Sequence, residues 1–179
     1  MAELTKELKA FWKDQLVPFH HEQLPQSGLS DSTLTFLSSV GLPLDSEKVK
    51  GSPFYLHFYD QPKMKQDHEG EDYLMIAENE GNEIGIHCQT DCLYYLDSFF
   101  AKGKRWMNAN IATFLMFLKI YLRHQPQLID SMETGDEERI RGIVGEIKRQ
   151  FHQFDPKALE EEETYWSVIL EQVEDGLIC

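Results

Sequence analysis

The sequence predicts an α+β fold: a small antiparallel or mixed sheet flanked by N-terminal helices and a C-terminal set of about three helices. Apolar residues recur at helical spacing near the N-terminus and again from Ile111 onward. Between these stretches lie aromatic and aliphatic runs separated by short turns. Strand-like and helix-like segments are segregated along the chain rather than alternating, which disfavours a doubly wound parallel sheet. The 179 residues fit a single domain spanning the whole chain, 1–179.

The first element is a helix over Glu3 to Gln15, where Leu4, Leu8, Phe11 and Trp12 share one face and Pro18 marks the end. Ser30-Asp31 opens a short second helix, because either side chain can accept from the free amides of the first turn. Leu34, Phe36, Leu37 and Val40 form its buried side, and Gly41 stops it in a left-handed cap. Phe54 to Tyr59 suits a strand, with Phe54, Leu56 and Phe58 on one face and Tyr55, His57 and Tyr59 on the other. Asp60 to Gly70 is polar, contains Pro62, and is expected to be a loop.

Tyr73 to Ala77, a turn at Glu80-Gly81-Asn82, Ile84 to Cys88, a turn at Gln89-Thr90-Asp91 and Leu93 to Leu96 together predict a three-stranded antiparallel meander. Asn108 and Asn110 are both candidate caps for a helix carrying Ile111, Phe114, Leu115, Leu118 and Leu122, with Pro126 as its expected end. A further helix carries Ile140, Ile143, Val144, Ile147 and Phe151. Asp155-Pro156 is expected to start the last one, which buries Leu159, Trp166, Ile169, Leu170 and Val173 and ends at Gly176.

A hydrophobic fraction of 41% and an aromatic fraction of 12% indicate a chain that folds around a core. Thirty-one acids against 17 lysines and arginines leave a net charge of −14, which repels nucleic acid and anionic lipid and attracts a basic partner. The same acidity also serves solubility alone, and both readings stand at this point. Three cysteines, Cys88, Cys92 and Cys179, do not make a disulfide framework. No apolar run is long enough to cross a membrane, and Met-Ala-Glu-Leu-Thr-Lys is not a secretory start, so a cytoplasmic location is expected.

His87, Cys88 and Cys92 lie within six positions and carry zinc-ligating atoms. A strand sends His87 and Cys88 to opposite faces, however, so core and turn roles are expected and no metal or cofactor is assigned. His20-His21 reads as solvated loop, and His57 as a half-buried strand residue rather than a base. No nucleophile elbow, phosphate-binding loop or dinucleotide fingerprint is present, so no catalytic residue is assigned. Glu160 to Glu163 suits the positive end of a helix dipole or an acidic contact patch. The candidate partner-binding residues are turn acids beside aromatics: Glu78, Glu80, Glu83, Asp91 and Asp97 with Tyr94 and Trp106.

Gly41-Leu42-Pro43 resembles the Gly-Leu-Pro element of the SUKH superfamily. Leu74 to Ala77, Gly81 and Ile84 to Ile86 resemble its strand–turn–strand signature, and Leu93 to Asp97 its third strand. Met107-Asn108-Ala109-Asn110 before Ile111 is similar to its Asn-Ser-Ser helix start, with Ala109-Asn110 in place of the two serines. Asp155-Pro156-Lys157-Ala158-Leu159 followed by Tyr165-Trp166 is similar to the C-terminal element of the fourth SUKH immunity family. The likeness runs from about Leu34 to Leu177 and is weaker before Gln26. It implies a non-enzymatic binding protein: a bacterial immunity protein whose partner is a cognate polymorphic toxin, nucleases among them, or alternatively a regulatory or scaffold domain like the fungal cell-wall-synthesis regulators of the superfamily.

Overall fold

The amphipathic N-terminal stretch forms α1 (Ala2–Trp12), continued by a 3-10 turn at Lys13–Gln15. The computed structural model describes residues 2–24, 27–44, 46, 49, 55–79, 81–97, 100 and 102–178. Pro25, Phe54, Glu80 and Cys179 lie outside that set. Helix α2 (Asp31–Ser39) begins as expected, the Ser30 hydroxyl accepting from the Thr33 amide. Gly41 follows with φ +82° and lies under Val17, whose backbone pairs with Leu42 in both directions (2.9 and 3.2 Å).

Five antiparallel strands follow in simple meander order: β1 (His57–Gln66), β2 (Asp72–Asn79), β3 (Asn82–His87), β4 (Leu93–Leu96) and β5 (Arg105–Asn108). The sheet is larger than the three-stranded meander expected. The strand expected from Phe54 starts at His57 and continues through the stretch expected as a loop, so only Asp67 to Glu71 connects β1 to β2. The pattern misleads there because β1 is an edge strand. Its irregular register between Phe58 and Lys63 accommodates Pro62, and most of its side chains face solvent. His57 is exposed rather than half-buried, while Leu56 and Phe58 reach the core. Strand β5 carries too few residues to show a period of two, and the sequence reading passed over it.

After the sheet, α3 (Ile111–Thr134) is capped by Asn110, whose side chain accepts from the Thr113 amide while the Thr113 hydroxyl accepts from the Asn110 amide. The helix does not end at Pro126. It runs on to Gly135, which takes the left-handed cap at φ +69°. Pro126 faces solvent, and the buried row continues past it through Leu128 and Ser131, so packing overrides a proline penalty of about 3 kcal/mol. Gly135-Asp136 then turns the chain into α4 (Glu137–Phe154). Asp155-Pro156 opens a 3-10 turn (Pro156–Leu159) rather than the last helix, which is α5 (Tyr165–Glu174) behind Thr164. The acids Glu160 to Glu163 therefore lie in the connection before α5, not in its first turn.

One apolar core joins these parts. The sheet contributes Leu74, Ile76, Ile84, Ile86 and Leu93 from its inner face, and Ile111 to Tyr121 of α3 is buried all round. Phe117 stacks on Phe151 at 3.7 Å, and Trp166 closes the group edge-on to Phe151 at 5.1 Å. Within that buried stretch Lys119, its side chain 1% exposed, pairs with Glu7 of α1. Glu7→Ala strands a buried ammonium and is expected to destabilise the protein by about 2 kcal/mol, whereas Lys119→Met replaces the charge with apolar volume and stays within about 1 kcal/mol of wild type. Urea unfolding of the two variants checks this; equal losses would contradict the role given to the pair.

Candidate functional site on the outer sheet face

The register brings two rows of side chains to the face of the sheet turned away from the helices. One row is Lys63, Met75, Gly85, Tyr94 and Trp106; beside it lie Lys65, Tyr73 and His87. A Cβ at Gly85 would crowd Met75 Sδ and Tyr73 Cβ at 3.0 Å, so the glycine leaves room for both side chains. Over that gap the rings interlock: Tyr73 edge-on to Tyr94 at 6.0 Å, Tyr94 edge-on to Trp106 at 5.4 Å, and His87 5.2 Å from Tyr73. Lys157 places its ammonium 3.6 Å above Trp106.

The β4–β5 connection lays Lys104 across this surface. Its Nζ donates to Glu69 Oε2 (2.7 Å), Asp67 Oδ2 (3.3 Å), Tyr73 Oη (3.3 Å) and Glu71 Oε2, and sits 5.9 and 5.8 Å from the Tyr73 and Tyr94 ring centres. Burial acts to raise the Asp67 pKa, but the Glu71 and Glu69 amides and Lys104 outweigh it and hold the carboxyl below its usual range. Lys104 and the Tyr73 hydroxyl hold Glu71 low as well. Burial disfavours the Lys104 charge, yet Glu69, Glu71 and Tyr73 raise its pKa overall. Carboxyls depressed in the folded state stabilise it above their unfolded values near pH 4 and lose that contribution as pH falls through the folded values. Lys104→Gln is therefore expected to flatten the loss of stability between about pH 5 and pH 2. Denaturant midpoints measured across that range test it, and an unchanged acid limb would contradict the assignment.

The residues expected to meet a partner are distributed around this face. Glu83 binds Lys63 at 3.0 Å and Lys65, and with Glu78 accepts the Tyr59 hydroxyl at 3.3 and 3.2 Å. Burial acts to raise the Glu83 pKa, and the two lysines overcome it to leave the carboxyl low. Asp97 binds Arg105 Nε at 3.2 Å, and that guanidinium also covers Phe100 at 4.1 Å. Asp91, at φ +60°, accepts from the Ser30 amide (3.1 Å) and hydroxyl, and so ties the β3–β4 turn to the start of α2. Tyr94 and Trp106 belong to the ring cluster, and Glu80 lies outside the described residues.

The sequence reading missed Lys104 and the acids of the β1–β2 turn. The detectable signal was a basic Lys102-Gly103-Lys104-Arg105 stretch in an acidic chain that also carries Asp67, Glu69, Glu71 and Asp72 close together.

The residues considered for metal have other engagements. His87 Nδ1 is 2.8 Å from Thr90 Oγ1, Cys92 Sγ donates to the Thr90 carbonyl at 3.5 Å, and burial pushes the Cys88 thiol up to about 11. Among the described residues, the one group of three close ligand atoms is Asp67, Glu69 and Glu71, within 4.8 Å of one another and already facing Lys104.

A second acidic surface lies on the helical side. A groove of about 520 Å³ between Lys148, Leu159, Glu160 to Glu162 and Glu171 adjoins one of about 650 Å³ that shares Glu171 and Glu174. Lys148 pairs with Glu174 at 3.1 Å; Glu160, Glu161, Glu162, Glu171 and Asp175 have no ion pair among the described residues. Excess negative charge is thus more open here than on the sheet, where lysines and Arg105 cover most acids.

Among the described residues no helix is long and apolar enough to cross a membrane. A family model described as SUKH-4 immunity protein matches residues 4–172, which takes in α1 as well as the region where the resemblance is clearest. No curated protein and no solved structure matches the chain.

Proposed function

The chain belongs to the SUKH-4 immunity protein family, and from that premise we propose that it binds a cognate toxin in the cytoplasm and neutralises it by protein–protein contact without catalysis. The family match over nearly the whole chain carries this reading. The charge balance of −14 supports a toxin with a basic surface, such as a nuclease, and disfavours nucleic acid and anionic membrane as partners.

The proposed contact surface is the outer sheet face and its rim. Glu78, Glu83 and Asp97 supply charge there, Tyr94 and Trp106 supply aromatic area, and Glu80, outside the described residues, is kept with them on the sequence alone. Asp91 contributes by fixing the turn against α2. The open acids before and along α5 add long-range attraction. The mechanism is occlusion: the immunity protein covers the toxin surface that its substrate would use.

The chain used as bait in its native organism is expected to recover one dominant protein with a toxin-like C-terminal domain, identified by mass spectrometry. Recovery of envelope-synthesis proteins instead would replace this reading with the regulatory one. With the toxin in hand, the association rate is expected to fall roughly tenfold or more between low and high salt, with a smaller change in dissociation. An association rate independent of salt would remove the electrostatic part.

A further inference from the structure

At the Asn79 end of β2, a cavity of about 350 Å³ lies between the sheet and α5. Tyr165, Val168, Ile169 and Gln172 of α5 line one side, at the i, i+3, i+4 and i+7 spacing of a single helix face. Tyr95 of β4 lines the other, and its ring lies 5.0 Å from that of Tyr165. The Tyr95 hydroxyl is already used: it accepts from Asn82 Nδ2 at 3.0 Å and donates to Asn79 Oδ1 at 3.3 Å. Asp97 and Arg105, also at the cavity, pair with each other at 3.2 Å and so bring no net charge to it. The Tyr165 hydroxyl is different. The residue is 5% exposed, yet its hydroxyl has no hydrogen-bond partner among the described residues. Burial holds its pKa above the ordinary phenol value, so it keeps its proton. The Gln172 side chain, two turns on, has no hydrogen-bond partner among the described residues either. Buried polar groups are ordinarily paired, so a hydroxyl left open in a walled cavity points to an occupant that completes it.

We propose that this cavity receives the phenol ring of a tyrosine carried by the partner protein. Val168, Ile169 and the two tyrosine rings form walls that suit a flat ring, which packs offset or edge-on against others. With Asp97 and Arg105 satisfied by each other, a lysine, arginine or carboxylate would enter without a counter-charge. A phenylalanine would fill the walls but leave the Tyr165 hydroxyl unpaired. A tryptophan N–H donates only. A phenol both accepts and donates, so it can accept from the Tyr165 hydroxyl and donate to the Gln172 amide oxygen. The site is within a partner's reach: Asp97 belongs both to the cavity and to the proposed contact surface, and Tyr55, 65% exposed, stands at the cavity edge. A desolvated aromatic anchor ringed by weaker contacts is how interfaces concentrate affinity. The proposal deepens the immunity reading and rests on it for the identity of the partner.

The test uses the purified full-length chain, with p-cresol (the tyrosine side chain alone) and toluene (the same ring without the hydroxyl) as NMR probes. p-Cresol is expected to shift the Val168, Ile169 and Ile178 methyls saturably, and toluene to bind roughly fivefold or more weakly. Tyr165→Phe is expected to remove that preference while leaving toluene binding unchanged, a result that loss of structure would not give. Val168→Phe fills the cavity and is expected to abolish binding of both. Shifts that do not saturate, equal binding of the two probes, or a Tyr165→Phe chain that still prefers p-cresol would overturn the proposal. The partner recovered with the chain provides the second arm. Val168→Phe is expected to weaken its binding roughly tenfold or more, with Tyr165→Phe used in its place should Val168→Phe not fold. A partner held as tightly as by wild type would make the cavity a site for free small phenols and overturn the assignment to a partner's tyrosine. Absence of probe binding beside a recovered toxin removes the cavity and leaves the immunity reading standing. A recovered partner that is not a toxin, yet is released by Val168→Phe, removes the immunity reading alone.

Discussion

Trp166→Ala is expected to cost about 4 kcal/mol of stability, as truncation of a fully buried aromatic does. Trp166 is 0% exposed and meets Phe117 at 5.5 Å and Phe151 at 5.1 Å. Its indole N–H also donates to Asn108 Oδ1 at 2.9 Å. Asn108, itself 0% exposed, donates to Asp155 Oδ2 at 3.3 Å, and the Ala109 amide donates to the same oxygen at 2.6 Å. This chain of bonds fastens the end of β5 to the α4–α5 connection and to α5, and adds a directional link to the apolar core that joins the sheet and the C-terminal helices. Asn108→Ala leaves a buried indole N–H without its acceptor and the Asp155 carboxylate short of a donor, for a loss of about 2–3 kcal/mol. Because both changes break the same network, a double-mutant cycle pairing Trp166→Phe with Asn108→Ala is expected to show coupling of about 1 kcal/mol. Additive losses, or a Trp166→Ala loss below about 1 kcal/mol, would show that the network is not what holds these elements together.

Gly41→Ala is expected to be as damaging, at about 3–5 kcal/mol, although it adds a single methyl group. A Cβ at Gly41 would stand 2.0 Å from the Val17 carbonyl oxygen and 2.4 Å from Pro18 N, and these are backbone atoms that cannot rotate aside. The φ of +82° adds strain for any L side chain. The close approach exists because Val17 and Leu42 pair directly, so relief requires opening those two backbone bonds between the α1 exit and the α2 exit. Thermal unfolding followed by circular dichroism measures the loss. A Gly41→Ala protein as stable as wild type would mean that the Val17–Leu42 pairing is not maintained in solution.

Most of the architecture was legible because its signals are local. The α2 start at Ser30, its stop at Gly41 and the hairpin at Gly81 each follow from backbone chemistry written at one position. The failures occur where tertiary packing outweighs local preference. Pro126 lies on the solvent side of a helix whose buried row continues beneath it. Asp60 to Gln66 is polar because it is an edge strand, not because it is a loop. Asp155 carries every mark of a helix cap, yet its carboxylate is used across the fold by Asn108 and Ala109. The residues of the resemblance at Asn108, Asp155 and Trp166 are those that make this connection, which gives that pattern a structural meaning.

The site was less legible for the same reason. Glu71, Tyr73, Tyr94 and Lys104 come together only through the register of three strands and the path of the β4–β5 connection. No spacing in the sequence announces that meeting. Glu78, Glu83 and Asp97 are expected from the sequence as turn acids beside aromatics, and the structure gives each a neighbouring donor: Tyr59 at Glu78 and Glu83, lysines at Glu83, and Arg105 at Asp97.

The most direct test of the central claim is growth of cells expressing the toxin recovered with this chain, with and without the chain co-expressed. The toxin alone is expected to arrest growth, and wild-type chain to restore it in proportion to the complex formed. Arrest that persists despite abundant, folded chain would contradict the immunity role.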